Sequence, residues 1–164
     1  MYRQTFPNEI VKPGKVTNPK ARVSNYKEDK YYPKVLKAFG EILIDSSEIK
    51  PVEVLQRMHL LKSEDLENWY FGRVPFLEKV IHCNLSKVSR ITRLIGFIAH
   101  DFNMGKSIHR YAKRGKGKKV ALQFSKSNIK ALEQGYSTHY SIVGSREKFI
   151  AKNKQHLWPE MKNE

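Results

Sequence analysis

The segment 84–125, NLSKVSRITRLIGFIAHDFNMGKSIHRYAKRGKGKKVALQFS, decides the fold class because its hydrophobic period changes part-way along. Up to residue 102, Leu85, Val88, Ile91, Ile95, Ile98 and Phe102 recur at three- and four-residue steps, which is one stripe of a helix. Asn84 is suited to cap that helix and Gly105 to stop it. Ser86, Lys87, Ser89, Arg90 and Arg93 fall on the opposite side. Further on, Val120, Leu122 and Phe124 alternate with Ala121, Gln123 and Ser125, the two-residue period of a half-buried strand. Residues 108–113 and 120–125 therefore read as a hairpin around the loop Arg114-Gly115-Lys116-Gly117-Lys118.

Working outward toward the N-terminus, the helical period persists. Val35, Leu36, Phe39, Ile42 and Leu43 predict a helix opening near Pro33 and closing at Asp45-Ser46-Ser47. A second starts at Pro51 with Val52, Leu55 and Met58 on one side. A third, capped by Ser63, carries Leu66, Trp69 and Tyr70 and ends at Gly72. A fourth opens at Pro75 with Phe76, Leu77, Val80 and Ile81. Toward the C-terminus, residues 127–135 predict a short helix and residues 136–143 a third strand.

The expectation is an α+β chain: a mainly helical N-terminal half, then a small antiparallel sheet made of the hairpin plus a third strand. It could take a winged-helix-like form. Residues 26–143 form one domain in this reading. Residues 1–25, with Pro7, Pro13, Gly14 and Pro19, read as a flexible basic tail. Residues 144–164 read as a polar extension, a frayed helix or tail anchored by Trp158-Pro159.

Composition narrows the partner class. The 164 residues include 31 Lys and Arg against 16 Asp and Glu, a formal net charge of +15. The excess is local: residues 31–80 carry seven cations and eight anions, whereas residues 81–125 carry ten cations and one anion. Such a concentration favours a polyanionic partner, DNA or RNA. No run approaches the ~20 apolar residues of a membrane helix, and no signal peptide stands at the N-terminus. The lone Cys83 excludes an internal disulfide framework and a Cys-rich zinc site. A cytoplasmic location without membrane association is the resulting expectation.

Two basic features point to phosphate contact. In the hairpin loop, Lys113, Arg114, Lys116, Lys118 and Lys119 place five cations among seven residues, and the other two are glycines that let a backbone approach phosphates closely. The second is the helix face with Lys87, Arg90 and Arg93, flanked by small hydroxyls that suit phosphate and base edges. Pro75 to Arg93 reads as helix, turn, helix, with the basic hairpin as a wing. Arg110 extends the same basic surface.

A third constellation suggests chemistry. If the third strand pairs with the hairpin, His109 and His139 approach each other beside Arg110, and two histidines among cations can serve as acid and base on a phosphodiester. The alternative to pure binding is therefore a small metal-independent ribonuclease or toxin-like protein. A further alternative is an interaction module for an acidic protein. No metal-ligand spacing such as H-E-x-x-H occurs and the Walker-type phosphate loop is absent, so no cofactor or metal is expected.

Several segments together resemble an uncharacterised family of small basic bacterial proteins. They are Trp69-Tyr70-Phe71-Gly72-Arg73-Val74-Pro75-Phe76-Leu77-Glu78, Asn84-Leu85-Ser86-Lys87, Gly115-Lys116-Gly117-Lys118-Lys119, Leu122-Gln123-Phe124-Ser125-Lys126-Ser127 and Tyr136-Ser137-Thr138-His139-Tyr140. The likeness covers about residues 50–143 and departs in lacking a tryptophan near Lys113 and a glycine after Ser127. It implies a bacterial origin and one compact domain, and brings no activity with it.

Overall fold

A computed structural model describes residues 25–160. The basic tail expected over residues 1–25 thus lies, apart from Asn25, outside the described residues. Among those described, the α+β class holds: six α-helices and one three-stranded antiparallel sheet. The helices are α1 (Tyr32–Leu43), α2 (Pro51–Arg57), α3 (Ser63–Tyr70), α4 (Leu85–Asp101), α5 (Lys130–Ser137) and α6 (Arg146–Leu157). The strands are β1 (Glu48–Ile49), β2 (Gly105–Ile108) and β3 (Thr138–Ser141), in the order β1-β3-β2. No helix among the described residues is long and apolar enough to cross a membrane.

Helix α4 is the centre of the core. Its predicted stripe is realised at Val88, Ile91, Ile95 and Ile98, all buried, while Leu85 at the first turn is exposed. Burial then runs all round the helix from Arg93 to Ala99, because α1 and α5 both pack on it. Asn84 caps it as expected, its side chain accepting from the Lys87 N–H at 2.8 Å. The stop comes earlier than Gly105. Asn103 adopts φ 55°, and the amides of Asn103 and Met104 donate to the carbonyls of His100 and Ala99, closing the helix end with two bonds. Gly105 is thereby released to begin β2.

The sequence signal for the hairpin marks the right turn but the wrong strands. Only Ala112 and Ala121 bridge, supported by Lys113 N–H to Val120 O and Leu122 N–H to Tyr111 O, both 2.8 Å. Beyond Leu122 the backbone is claimed by other partners. The Gln123 carbonyl accepts from the Trp69 indole and the Leu77 amide. The amides of Phe124 and Ser125 donate to the two Glu133 carboxylate oxygens at 2.9 and 2.7 Å. Glu78 accepts from the Lys126 amide and the Tyr136 hydroxyl. A ladder cannot continue where its donors and acceptors are already spent. Three of the segments that carry the family resemblance, 69–78, 122–127 and 136–140, thus meet in one hydrogen-bonded network.

Three further expectations are corrected. The helix expected from Pro75 is a 3-10 turn over Leu77–Val80, so the helix-turn-helix read across Pro75 to Arg93 lacks its first α-helix. Gly135 does not end α5, which continues through Tyr136 and Ser137. The third strand is accordingly shorter, Thr138–Ser141, and pairs with β2 rather than with the hairpin arms. At the C-terminus, α6 packs on α1, and Trp158 is the anchor expected of it: its indole N–H donates to the Gly40 carbonyl at 2.8 Å. Gly40 is required there, since a Cβ would lie 2.6 Å from the Leu157 carbonyl oxygen.

Candidate nucleic-acid interface and histidine cluster

The loop 113–119 stands on a docked base and presents an open tip. The Arg114 amide donates to the Tyr70 carbonyl at 2.8 Å, and the Arg114 guanidinium lies over the Tyr70 ring, 3.7 Å from its centroid. Such stacking is favoured by the ring's negative face. Gly115 and Gly117 adopt φ 98° and 103°, a conformation that a side-chain-bearing residue rarely takes. Gly115 sits against Phe71, whereas the space around Gly117 is open. Lys119 reaches back, its Nζ 3.3 Å from the Lys113 carbonyl oxygen. Lys116 and Lys118 are exposed at the tip, and Arg110 is exposed before the loop.

The helix face with Lys87, Arg90 and Arg93 is partly engaged within the fold. Arg90 donates from Nε and Nη2 to one Asp29 oxygen at 3.0 and 2.7 Å, and the other Asp29 oxygen accepts from the Tyr31 amide. The Lys87 ammonium sits 5.1 Å above the Tyr31 ring. Arg93 is only 7% exposed. Arg90 and Lys87 thus hold Asp29 and Tyr31 against α4. Sequence spacing places all three opposite the apolar stripe, but it could not reveal that Asp29 and Tyr31 take up Arg90 and Lys87.

The sheet brings the two histidines together. In the β3–β2 register His139 pairs with Ser107, and Glu48 on β1 pairs with Ser141, so Glu48, His139 and Ser107 share one face of the sheet. The His109 amide, just past β2, donates to the Ser137 carbonyl at 2.9 Å. The His109 and His139 rings stack with centroids 3.9 Å apart and planes 16° from parallel. The pairing runs through β2, an element absent from the sequence reading, yet the juxtaposition of the two rings is the one expected.

Each ring is held at Nε2 by an oxygen. The Tyr111 hydroxyl lies 2.6 Å from Nε2 of His139, and Ser107 Oγ lies 3.0 Å from Nε2 of His109. Burial pushes the Tyr111 phenol well above its ordinary value, so it stays a hydroxyl, which can donate to a bare Nε2 or accept from a protonated one according to the His139 tautomer. His139 is 5% exposed, and its Nδ1 has no hydrogen-bond partner among the described residues. The nearest charge is a Glu48 oxygen at 3.4 Å, whose other oxygen faces the Lys50 ammonium at 3.8 Å. Burial lowers the His139 pKa below 6.5, His109 and Lys50 push the same way, and Glu48 opposes them. His139 is therefore neutral at pH 7.

Loop and cluster are joined by contacts. Arg114 covers Tyr70, Tyr70 stacks parallel to Tyr111 at 6.2 Å, and Tyr111 reaches His139. Arg110, Lys113, Arg114, Lys116, Lys118, Lys119, His109 and His139 thus belong to one neighbourhood, which Lys87, Arg90 and Arg93 do not share through any contact described above. Sequence reasoning missed Glu48 because a two-residue strand has no periodic signature. Comparison with family models, with curated proteins and with solved structures finds no match.

Proposed function

We propose that the protein binds nucleic acid through the phosphate backbone, with the loop 113–119 as the principal contact and Arg110 beside it. The observation that carries this reading is the loop itself. Its base is pinned to Tyr70 and Phe71, while its tip exposes Lys116 and Lys118 around glycines whose backbone a phosphate can approach. Of the two basic surfaces expected from sequence, this one shows no ion pair with a carboxylate among the described residues, whereas Arg90 on the other is paired with Asp29. Backbone contact carries little base information, so affinity depends strongly on salt and weakly on sequence.

Filter binding of single-stranded RNA, single-stranded DNA and duplex DNA across a salt series tests this. The wild type binds at low salt with a linear fall in log affinity. The double variant Lys116→Glu/Lys118→Glu loses two phosphate contacts, so its slope is shallower by about 1.8 on duplex DNA or about 1.4 on single strands. Absence of binding at low salt, or a slope unchanged in the variant, sinks the proposal.

The stacked histidines favour a second reading, cleavage of RNA by metal-free acid–base chemistry. Two rings 3.9 Å apart resist double protonation, which leaves one neutral base beside one potential acid. Cleavage in EDTA that is lost in His139→Gln supports it; intact RNA after prolonged incubation removes it.

A further inference from the structure

We propose that Glu48, His109 and His139 form a binding site for a divalent first-row transition ion, with Zn²⁺ as its representative. One ligand atom from each of the three side chains lies within 4.8 Å of the other two. An ion about 2.1 Å from each ligand needs ligand–ligand separations of roughly 3–3.5 Å. The widest pair therefore has to close by up to roughly 1.5 Å, which rotation of the exposed His109 and the half-buried Glu48 can supply.

Two features beyond proximity point to an ion. The buried Nδ1 of His139 faces the Glu48 carboxylate without completing a hydrogen bond, and such an orphaned nitrogen is uncommon in a folded protein. The Nε2 atoms of both rings are engaged by Tyr111 and Ser107, the outer contacts that orient ligating histidines and fix which nitrogen remains free.

Two imidazoles and one carboxylate suit a first-row transition ion. Mg²⁺ and Ca²⁺ prefer oxygen ligands throughout. Lys50 occupies the far oxygen of Glu48 and leaves the near one for the ion. Three protein ligands leave a fourth position open, as in catalytic rather than structural zinc sites. The metal site and the metal-free ribonuclease reading are alternatives, because the same nitrogens cannot both ligate an ion and shuttle protons. It does not depend on nucleic-acid binding and is tested without nucleic acid.

The test titrates untagged full-length protein, stripped with EDTA and desalted, with Zn²⁺ by calorimetry and with Co²⁺ by visible absorption. The wild type takes up one ion per chain, and Co²⁺ gives the ligand-field bands of a nitrogen- and oxygen-bound ion. His109→Ala, His139→Ala and Glu48→Gln each weaken binding at least tenfold, and Tyr111→Phe weakens it less. Circular dichroism checks the fold; if His139→Ala does not fold, the other two ligand variants decide. Absence of saturable one-to-one binding in the wild type overturns the proposal. Full-strength binding in both His109→Ala and Glu48→Gln also overturns it, since the ion then sits elsewhere.

Discussion

Replacing Arg90 by methionine should damage the fold far more than nucleic-acid binding. The Asp29 side chain is 2% exposed, and both Arg90 bonds end on one of its oxygens. Removing the guanidinium leaves a buried carboxylate with the Tyr31 amide as its remaining hydrogen-bond donor. Each charge-assisted bond contributes about 1.5–3 kcal/mol, and breaking a buried pair from one side costs about 3–5 kcal/mol. Water reaches the Arg90 side chain, which is 24% exposed, so the loss falls at the lower end, about 3 kcal/mol. Urea unfolding measures it. Adding Asp29→Asn recovers at least about 1 kcal/mol, because no charge is then left stranded. Affinity for nucleic acid, corrected for the folded fraction, changes by no more than one phosphate contact. A stability loss under about 0.5 kcal/mol together with a collapse in binding would refute the structural role of this face.

Two more outcomes follow from the packing and the buried histidine. Gly40→Ala improves intrinsic helix propensity by about 1 kcal/mol but drives a Cβ to 2.6 Å from the Leu157 carbonyl oxygen and 3.2 Å from Trp158 Nε1. Overpacking of about 1–3 kcal/mol exceeds that gain, so the variant melts lower and shows altered Trp158 fluorescence; a higher melting temperature contradicts the α1–α6 contact. The second concerns pH, measured in EDTA. The folded-state pKa of His139 lies below 6.5, so the unfolded chain takes up a proton first as pH falls. The neutral buried ring therefore costs nothing above that value, and stability declines as pH drops below it. His139→Gln removes this part of the decline, and identical pH profiles for the two proteins would show that burial does not depress the pKa.

The helical half of the fold was legible because its periodicity is local and each helix buries one stripe. Asn84, Gly72 and Pro33 act where capping chemistry puts them. Legibility failed where distant groups compete for the backbone. Residues 120–125 carry a strand pattern, yet Trp69, Glu78 and Glu133 capture their neighbourhood and leave a single bridge. At the site, the basic loop and the His109–His139 approach could be read from residue types and turn signals. The occupation of the α4 face could not, because Asp29 and Tyr31 come from a stretch without periodicity. Glu48 was invisible because two extended residues carry no pattern, and only the β1–β3 register places it beside His139.

Mapping amide chemical shifts on addition of a short single-stranded oligonucleotide at low salt tests the central claim most directly. The account predicts that the largest changes fall on Arg114, Gly115, Lys116, Gly117 and Lys118, with smaller ones at Arg110 and Tyr70, and that added salt reverses them. Changes concentrated on residues 86–93, or no changes at all, would contradict it.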